Sequence, residues 1–115
     1  NHIPENKNPL TYSNTITKLR LPRAPIILYF IVYVLESQKD QGWYIGFTTN
    51  LKNRLFYHNS GRNTYTKFRR PFKLIYAEAY LNKRDALERE RFLKSGAGRM
   101  FLKKQMKWYL ASINE

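Results

Sequence analysis

The chain has 115 residues, no cysteine and a formal net charge of +13, from 21 lysine and arginine residues against eight aspartate and glutamate residues. This length suits one small domain, and the lack of cysteine excludes disulfides and thiolate zinc sites. Hydrophobic residues make up 43% of the chain and aromatic residues 16%, which argues against wholesale disorder. The basic excess predicts a polyanionic partner, with nucleic acid first and an anionic membrane surface or an acidic protein as alternatives.

Residues 1–25 differ from the rest of the chain, because they are polar and show no sustained apolar period. We interpret them as a flexible leader that precedes a folded domain at residues 26–115. A basic arm that contacts nucleic acid through Lys18, Arg20 and Arg23 is the alternative interpretation. The apolar run from Pro25 to Leu35 is too short to span a bilayer. Nucleic acid is preferred over the alternative partners, so no membrane partner is expected.

The first part of the folded region has the pattern of a β-hairpin. β-Branched and aromatic residues from Ile26 to Leu35 predict a buried strand. A polar turn from Glu36 to Gly42 follows, and Trp43 to Phe47 is predicted as the second strand. Tyr33 and Tyr44 then lie on paired strands and could project to the same side of the sheet.

A short helix and a basic loop follow the hairpin. Asn50 is a suitable N-cap for a helix from Leu51 to Asn59, and Gly61 lies just beyond the end of that helix. The loop from Arg62 to Pro71 interleaves basic and aromatic side chains, a pattern that favours nucleic-acid binding. These side chains are Arg62, Tyr65, Lys67, Phe68, Arg69 and Arg70.

The remaining pattern predicts one strand and two helices. Phe72 to Tyr80 is predicted as the third strand, and Asn82 can cap a helix from Lys83 to Ser95. Gly96 is expected to end that helix and to begin a turn, after which the segment from Gly98 to Ile113 contains a further basic helix. The order β-β-α-β-α-α predicts an α+β fold with a small antiparallel sheet.

Acidic residues are scarce in the folded region, which narrows the search for a metal ligand. Glu36 and Asp40 are assigned to the turn, and Glu115 is terminal, so we set these three aside. The remaining candidates for a metal-binding carboxylate are Glu78, Asp85, Glu88 and Glu90. A surface ion pair is the commoner role for such a residue, and the pattern alone does not choose among the four.

Four further side chains suit the chemistry of a phosphodiester. Arg54 and His58 are four residues apart on the predicted helix and share a face, while Tyr33 and Tyr44 lie on the hairpin. Beside a carboxylate that holds a divalent ion, an arginine offsets phosphate charge and a tyrosine or histidine takes a proton from water. Each residue also has an ordinary alternative as a packing tyrosine, a structural histidine or a surface arginine. The residues by themselves therefore indicate a basic α+β domain that binds nucleic acid, with a nuclease as one option.

Two triplets, Ile31-Val32-Tyr33 and Tyr44-Ile45-Gly46, resemble the paired motif of the GIY-YIG endonucleases. The first triplet departs from Gly-Ile-Tyr but keeps the tyrosine, and the second is intact. The resemblance to compact single-domain bacterial members extends in the expected order from Tyr29 to Lys104. Its further stretches are Thr48 to Arg54, His58 to Gly61, Arg70 to Tyr76 and Asp85 to Gly96. The resemblance implies a three-stranded antiparallel sheet flanked by helices.

The resemblance also implies roles for five residues. Tyr33 and Tyr44 would flank the scissile phosphate, with Tyr33 as the general base or the group that orients water. Arg54 would clamp the phosphate, and His58 would assist proton transfer. Glu90 matches the single glutamate that binds the metal in this family.

The function implied by the resemblance is a metal-dependent DNA endonuclease that hydrolyses phosphodiester bonds with Mg²⁺ or Mn²⁺. Glu88 is the second candidate ligand, but residues two apart on a helix point in different directions, so only one of Glu88 and Glu90 can face the site. Selectivity for DNA structure rather than sequence is expected, because phosphate contacts would supply most of the affinity. RNA is a second option as partner, and no small-molecule cofactor is expected. The expected setting is DNA repair in a bacterial cytoplasm.

The basic side chains outside the catalytic set are predicted to contact DNA. They are Arg62, Lys67, Arg69, Arg70 and Lys94. A non-catalytic, basic nucleic-acid-binding module is the alternative function. A third interpretation is a basic scaffold protein whose aromatic residues only form the core.

Overall fold

Three strands and four helices make up the part of the chain that the computed structural model describes, residues 27–113. In chain order they are β1 (Phe30–Ser37), β2 (Trp43–Thr48), α1 (Leu51–Asn59), β3 (Phe72–Tyr80), α2 (Lys83–Leu93), α3 (Gly96–Gln105) and α4 (Lys107–Ser112), with a short 3₁₀ turn at Lys67–Arg69 before β3. The predicted α+β class is confirmed. The interpretations of residues 1–25 as a leader and of Lys18, Arg20 and Arg23 as an arm fall outside the described residues.

The strands form one antiparallel sheet in the order β2-β1-β3, so β1 is the central strand. Successive residues of a strand point to opposite faces of the sheet. Val32 and Val34 therefore lie on one face, and Tyr33 and Leu35 on the other, and all four are buried. Because both faces are covered, β1 has an almost unbroken run of buried side chains.

The two faces of the sheet carry different helices. The face of Val32 and Val34 packs against the helices of the second half of the chain, in a core that includes Ala86, Leu93 and Leu102. The opposite face carries a smaller cluster around Tyr33, Leu35 and Phe72, against which Leu51 and Leu55 of α1 pack. The tyrosine and histidine candidates belong to this second face. Within residues 27–113, no helix has the length and apolar character that crossing a membrane requires.

The caps predicted for α1 and α2 are present. The Asn50 side chain accepts a hydrogen bond from the Asn53 amide, and the Asn82 side chain accepts one from the Arg84 amide. Gly61 has a φ of +85°, a conformation that favours glycine after the end of a helix. Helix α1 and strand β3 have the bounds that the sequence predicts.

The prediction for β1 was wrong at both ends. Ile27 and Leu28 are exposed and precede the strand, which begins at Phe30 and continues to Ser37. Glu36 is therefore a strand residue rather than a turn residue, and it is buried. Its carboxylate accepts hydrogen bonds from Trp43 Nε1 at 3.3 Å and from the Tyr109 hydroxyl at 2.7 Å. These two bonds offset the cost of burying the charge.

The predicted turn at Gly96 is also wrong. Helix α2 ends at Leu93, and Ser95 is the N-cap of α3, where its side chain accepts a hydrogen bond from the Gly98 amide. Gly98 lies against the end of α2, because a β-carbon there would overlap the carbonyl oxygen of Phe92. The glycines of this segment therefore begin a helix and allow close packing, instead of forming a loop.

The one helix predicted within the segment from Gly98 to Ile113 is two helices. Met106 has φ −109° and ψ 27°, which interrupts the helical path between α3 and α4. Its side chain is buried in the core with Leu102. After this break, the hydroxyl of Tyr109 in α4 donates a hydrogen bond to the buried Glu36 of β1.

Candidate active site

Tyr33 and Tyr44 lie on the same face of the sheet, as the sequence predicts. Tyr33 is opposite Gly46 and Tyr44 is opposite Leu35, so the two tyrosines are diagonal neighbours. A β-carbon at Gly46 would overlap the hydroxyl of Tyr33. The glycine of the second triplet thus leaves the space in which the Tyr33 ring crosses strand β2.

His58 is fully buried beside these tyrosines. Its Nε2 lies 3.3 Å from the Tyr33 hydroxyl, and its Nδ1 lies 3.1 Å from Oγ1 of Thr66. The Tyr44 ring packs on the imidazole with a centroid separation of 4.6 Å. His58 therefore connects Tyr33 to the basic loop, and neighbouring side chains separate its ring from solvent.

The ionisation of this pair follows from its burial. Burial, followed by the positive charge of Arg54, lowers the pKa of His58, so its imidazole is neutral near pH 7. Burial, followed by repulsion from Tyr44 and from Glu90, raises the pKa of Tyr33, and Arg54 opposes this only in part. A neutral imidazole has one donor and one acceptor nitrogen, so it can accept the Tyr33 proton in a hydrogen bond while donating to Thr66.

Arg54 lies one turn before His58 on α1 and is partly buried. Its guanidinium is 5.4 Å from the centre of the Tyr57 ring. A cleft opens here at the N-terminal end of α1, lined by Thr48, Thr49, Asn50, Asn53, Arg54 and Tyr57. An arginine beside the free amides of a helix N-terminus provides a favourable environment for a phosphate.

The four candidate carboxylates have different surroundings in the structure. Glu78 is engaged, because both of its oxygens accept hydrogen bonds from Arg89, at 2.8 and 3.0 Å, and the hydroxyls of Tyr76 and Tyr80 donate to it as well. Burial opposes its ionisation, but these donors hold the pKa of Glu78 below its ordinary value. Asp85 and Glu88 are exposed to solvent.

Glu90 is the partly buried carboxylate of helix α2. It follows the buried Ala86 by four residues and precedes the buried Leu93 by three, so it lies on the inner face of α2. Its side chain is 18% exposed, and its Oε2 is 3.0 Å from Nζ of Lys94. Its charge contributes to the raised pKa of Tyr33, which places the two groups within electrostatic range of each other.

The donor set around Glu90 fits a hard divalent ion held by a single protein carboxylate. Among the described residues, no group of three or more histidine, cysteine, aspartate or glutamate side chains could hold a metal. Glu90 would therefore be the single protein carboxylate that holds such an ion, and carboxylate oxygens are ligands that Mg²⁺ and Mn²⁺ accept. The Lys94 ammonium is the group that such an ion would have to replace.

A sequence profile of the GIY-YIG catalytic domain matches residues 29–104, which contain the two tyrosines, Arg54, His58 and Glu90. This chain belongs to the GIY-YIG family. The domain therefore indicates membership of a nuclease superfamily.

Curated relatives of this GIY-YIG chain are bacterial proteins of the UPF0213 group. It is 47% identical over 64 residues to a UPF0213 protein of Streptococcus pneumoniae serotype 4, an alignment of 55% of this chain and 64% of the relative. For the UPF0213 protein YazA of Bacillus subtilis, the identity is 46% over 63 residues, 54% of this chain and 63% of YazA. For the UPF0213 protein SH2523 of Staphylococcus haemolyticus it is 40% over 73 residues, 63% of this chain and 88% of the relative. The chain thus spans slightly less than two thirds of the first two relatives, and no solved structure matches it.

The basic residues predicted to contact DNA occupy two places in this GIY-YIG domain. Arg62, Lys67, Arg69 and Arg70 gather in the loop before β3, whereas Lys94 lies at the end of α2 beside Glu90. Arg69 is paired with Asp40 at 3.1 Å, which neutralises part of its charge. Arg62 and Arg70 are exposed.

Sequence reasoning missed three features of this site. Thr66 is buried against His58, although a lone threonine in a basic loop carries no pattern that predicts such a contact. The space that Gly46 leaves for Tyr33 becomes apparent only from the strand register. The pairing of Glu90 with Lys94 was accessible, because oppositely charged residues four apart on a helix are neighbours.

Proposed function

We propose that this domain is a metal-dependent DNA endonuclease that hydrolyses phosphodiester bonds. The observation that carries the proposal is the buried Tyr33–His58 pair, in which the charges of Arg54 and Glu90 both influence the pKa of Tyr33. A tyrosine, an imidazole, an arginine and a carboxylate that can bind a metal ion are groups that suit phosphodiester hydrolysis. The family membership supports the same reaction class.

Arg54 binds the scissile phosphate in this proposal. It lies in the cleft at the N-terminal end of α1, where helix amides also favour an anion. Its fixed positive charge offsets the charge that grows on the phosphate oxygens during the reaction. The half-buried Tyr44, which packs on His58, is placed to contact the same phosphate.

In this proposal Glu90 would hold a divalent ion, Mg²⁺ or Mn²⁺. When bound, the ion supplies Lewis-acid stabilisation of the phosphate and of the leaving oxygen. The Lys94 side chain is 55% exposed, so it can leave Glu90 and pair with a DNA phosphate instead. Lys94 thus acts as a DNA contact only when its ion pair with Glu90 is broken.

Tyr33 orients the attacking water, and the Tyr33–His58 pair receives the proton. The raised pKa of Tyr33 keeps its hydroxyl protonated, which favours this role over that of a free phenolate base. The phenol oxygen accepts a proton from water as its own proton passes to Nε2 of His58, 3.3 Å away. Thr66 fixes the opposite nitrogen of the imidazole and hence the orientation of the ring.

DNA is the substrate that we propose, with RNA as an alternative. Selectivity for structure rather than sequence follows if affinity comes mainly from phosphate contacts by Arg62, Lys67, Arg69, Arg70 and Lys94. The setting that we propose is DNA repair in a bacterial cytoplasm; the bacterial relatives support the bacterial origin.

A non-catalytic nucleic-acid-binding module is the second candidate function. The Glu90–Lys94 ion pair favours it, because a carboxylate already paired with an ammonium is a weaker metal ligand. This candidate predicts salt-sensitive binding that needs no metal and gives no product.

The test is a cleavage assay on a panel of labelled DNA structures with Mg²⁺, with Mn²⁺ and with a chelator. Glu90→Ala is compared with Glu88→Ala, an exposed carboxylate on the same helix. Metal-dependent products that disappear in Glu90→Ala but persist in Glu88→Ala support the endonuclease. Binding without product across the panel, or cleavage that survives Glu90→Ala and Tyr33→Phe, contradicts it.

A further inference from the structure

Two aromatic rings of the basic loop project into solvent. Tyr65 is 85% exposed and Phe68 is 73% exposed. They flank Thr66, which is buried. The loop therefore buries a small polar residue and displays two large rings, the reverse of what a core-forming segment does.

Hydrogen bonds hold the first half of this loop in place. The Asn63 side chain accepts hydrogen bonds from the amides of Tyr65 and Thr66, at 2.8 and 3.2 Å. The Thr66 hydroxyl lies 3.1 Å from His58, inside the candidate active site. The Tyr65 backbone is thus fixed one residue away from a side chain that contacts the site.

The second half of the loop is tied to the end of β1 and the turn that follows. The Phe68 carbonyl accepts a hydrogen bond from Lys39, and the Arg69 carbonyl accepts one from Ser37 at 2.6 Å. The Arg69 guanidinium pairs with Asp40. The backbone that displays the rings is therefore preorganised, which lowers the entropic cost of binding a ligand on them.

Positive charge surrounds the two rings. Lys67 Nζ lies 4.9 Å from the centre of the Phe68 ring, and Arg62 and Arg70 are exposed on the same loop. Exposed rings interleaved with cations are the combination that binds single-stranded nucleic acid, since the rings stack on bases and the cations follow the phosphates. The overall charge of +13 complements such a strand.

We propose that Tyr65 and Phe68 stack on unpaired bases of DNA, so that the substrate has a single-stranded segment beside the scissile phosphate. In a duplex both faces of each base are covered by its neighbours, so an exposed ring can stack only where a base is unpaired or at an end. The contact of Thr66 with His58 places the stacked segment next to the candidate site. The assignment of this strand as substrate rests on the proposed function, whereas the stacking does not require catalysis.

The test measures binding of the full chain in chelator, where no cleavage occurs, to fluorescently labelled single-stranded and duplex DNA of equal length. Tyr65→Ala and Phe68→Ala are each expected to weaken single-strand binding roughly tenfold, with little effect on the duplex. Tyr65→Phe keeps the ring and should bind as the wild type does. Phe56→Ala is the matched control, because Phe56 is 67% exposed but lies on α1 outside the loop.

Three results would overturn the inference: unchanged binding in both alanine variants, equal weakening for single strand and duplex, or the same weakening in Phe56→Ala. Circular dichroism of each variant checks that the fold is retained. If the stacking is correct but the proposed endonuclease function is wrong, the wild-type chain would prefer single strands and give no product in Mg²⁺ or Mn²⁺. Cleavage that does not depend on either ring would instead support the nuclease and reject the stacking site.

Discussion

The ammonium of Lys94 lies 3.0 Å from the carboxylate of Glu90, one turn away at the end of helix α2. The same carboxylate contributes to the electrostatic environment of Tyr33. Glu90 thus has a positive partner within one helical turn, and under the proposed function a divalent ion would compete with this partner. A DNA phosphate that attracts Lys94 would free Glu90 for the ion, so binding of DNA and binding of metal are expected to reinforce each other.

Replacing Lys94 tests this competition directly. Lys94→Gln is expected to raise the affinity of Glu90 for Mn²⁺ by at least about twofold, the scale of an exposed helical ion pair. Isothermal titration calorimetry without DNA measures the effect independently of cleavage. Lys103→Gln removes an exposed charge from α3 and should leave the affinity unchanged. Equal affinities in wild type and Lys94→Gln would show that Lys94 does not compete.

Gly46 is predicted to be important for stability because the Tyr33 ring occupies the space beside it. Gly46→Ala should lower the free energy of unfolding by about 1–3 kcal/mol, since its β-carbon would overlap the Tyr33 hydroxyl. Gly96→Ala is the matched control: a β-carbon there meets nothing within 4 Å, and the change should be neutral or slightly stabilising. Chemical denaturation measures both. The cost of Gly46→Ala should shrink in a Tyr33→Ala background, and a cost unchanged by that background would contradict the explanation.

His58 is predicted to make stability depend on pH. Folding lowers the pKa of His58, so the unfolded chain binds a proton more readily than the folded one. The contribution of His58 is therefore constant above the unfolded-state pKa of about 6.5 and is lost as pH falls below it. Denaturant titrations of wild type and His58→Gln across this range should differ in slope, with the wild type falling more steeply on acidification. Parallel curves would refute the prediction.

The basic loop is predicted to account for part of the salt dependence of DNA binding. Neutralising Lys67, Arg69 and Arg70 together should flatten the plot of log affinity against log salt, by about 0.9 for each duplex phosphate that the loop no longer neutralises. Arg69 should contribute least, because Asp40 already partly neutralises it. Fluorescence anisotropy at several salt concentrations gives the slope. An unchanged slope in the triple variant would refute the role of these three side chains.

Local patterns predict the elements whose ends carry their own capping residues. Asn50 and Gly61 delimit α1, and both act there as the sequence indicates. The stretch after α2 misleads such a prediction, because serine and glycine can either end one helix or begin the next. The observed outcome depends on close packing of Gly98 against the end of α2, a contact that no local pattern reveals.

The sequence predicts only those parts of the candidate site that follow from strand alternation or from the helical repeat. Alternation along the strands predicts that Tyr33 and Tyr44 share a face, and the helical repeat does the same for Arg54 and His58. The pattern around Glu36 indicates a solvated turn because its partner Tyr109 lies 73 residues away in the chain. A buried carboxylate is stabilised by the donors that surround it, and distant donors leave no trace near it in the sequence.

The central position of β1 in the sheet has a consequence for how the chain folds while it is being synthesised. Strand β1 can pair with β2 early, but its other edge stays unpaired until β3 has been synthesised. Tyr109, the partner of Glu36, is synthesised later still. During that interval a strand rich in valine and isoleucine presents an open edge to other nascent chains. Chains released before Phe72 has been translated lack the strand that covers this edge, and they are therefore expected to aggregate.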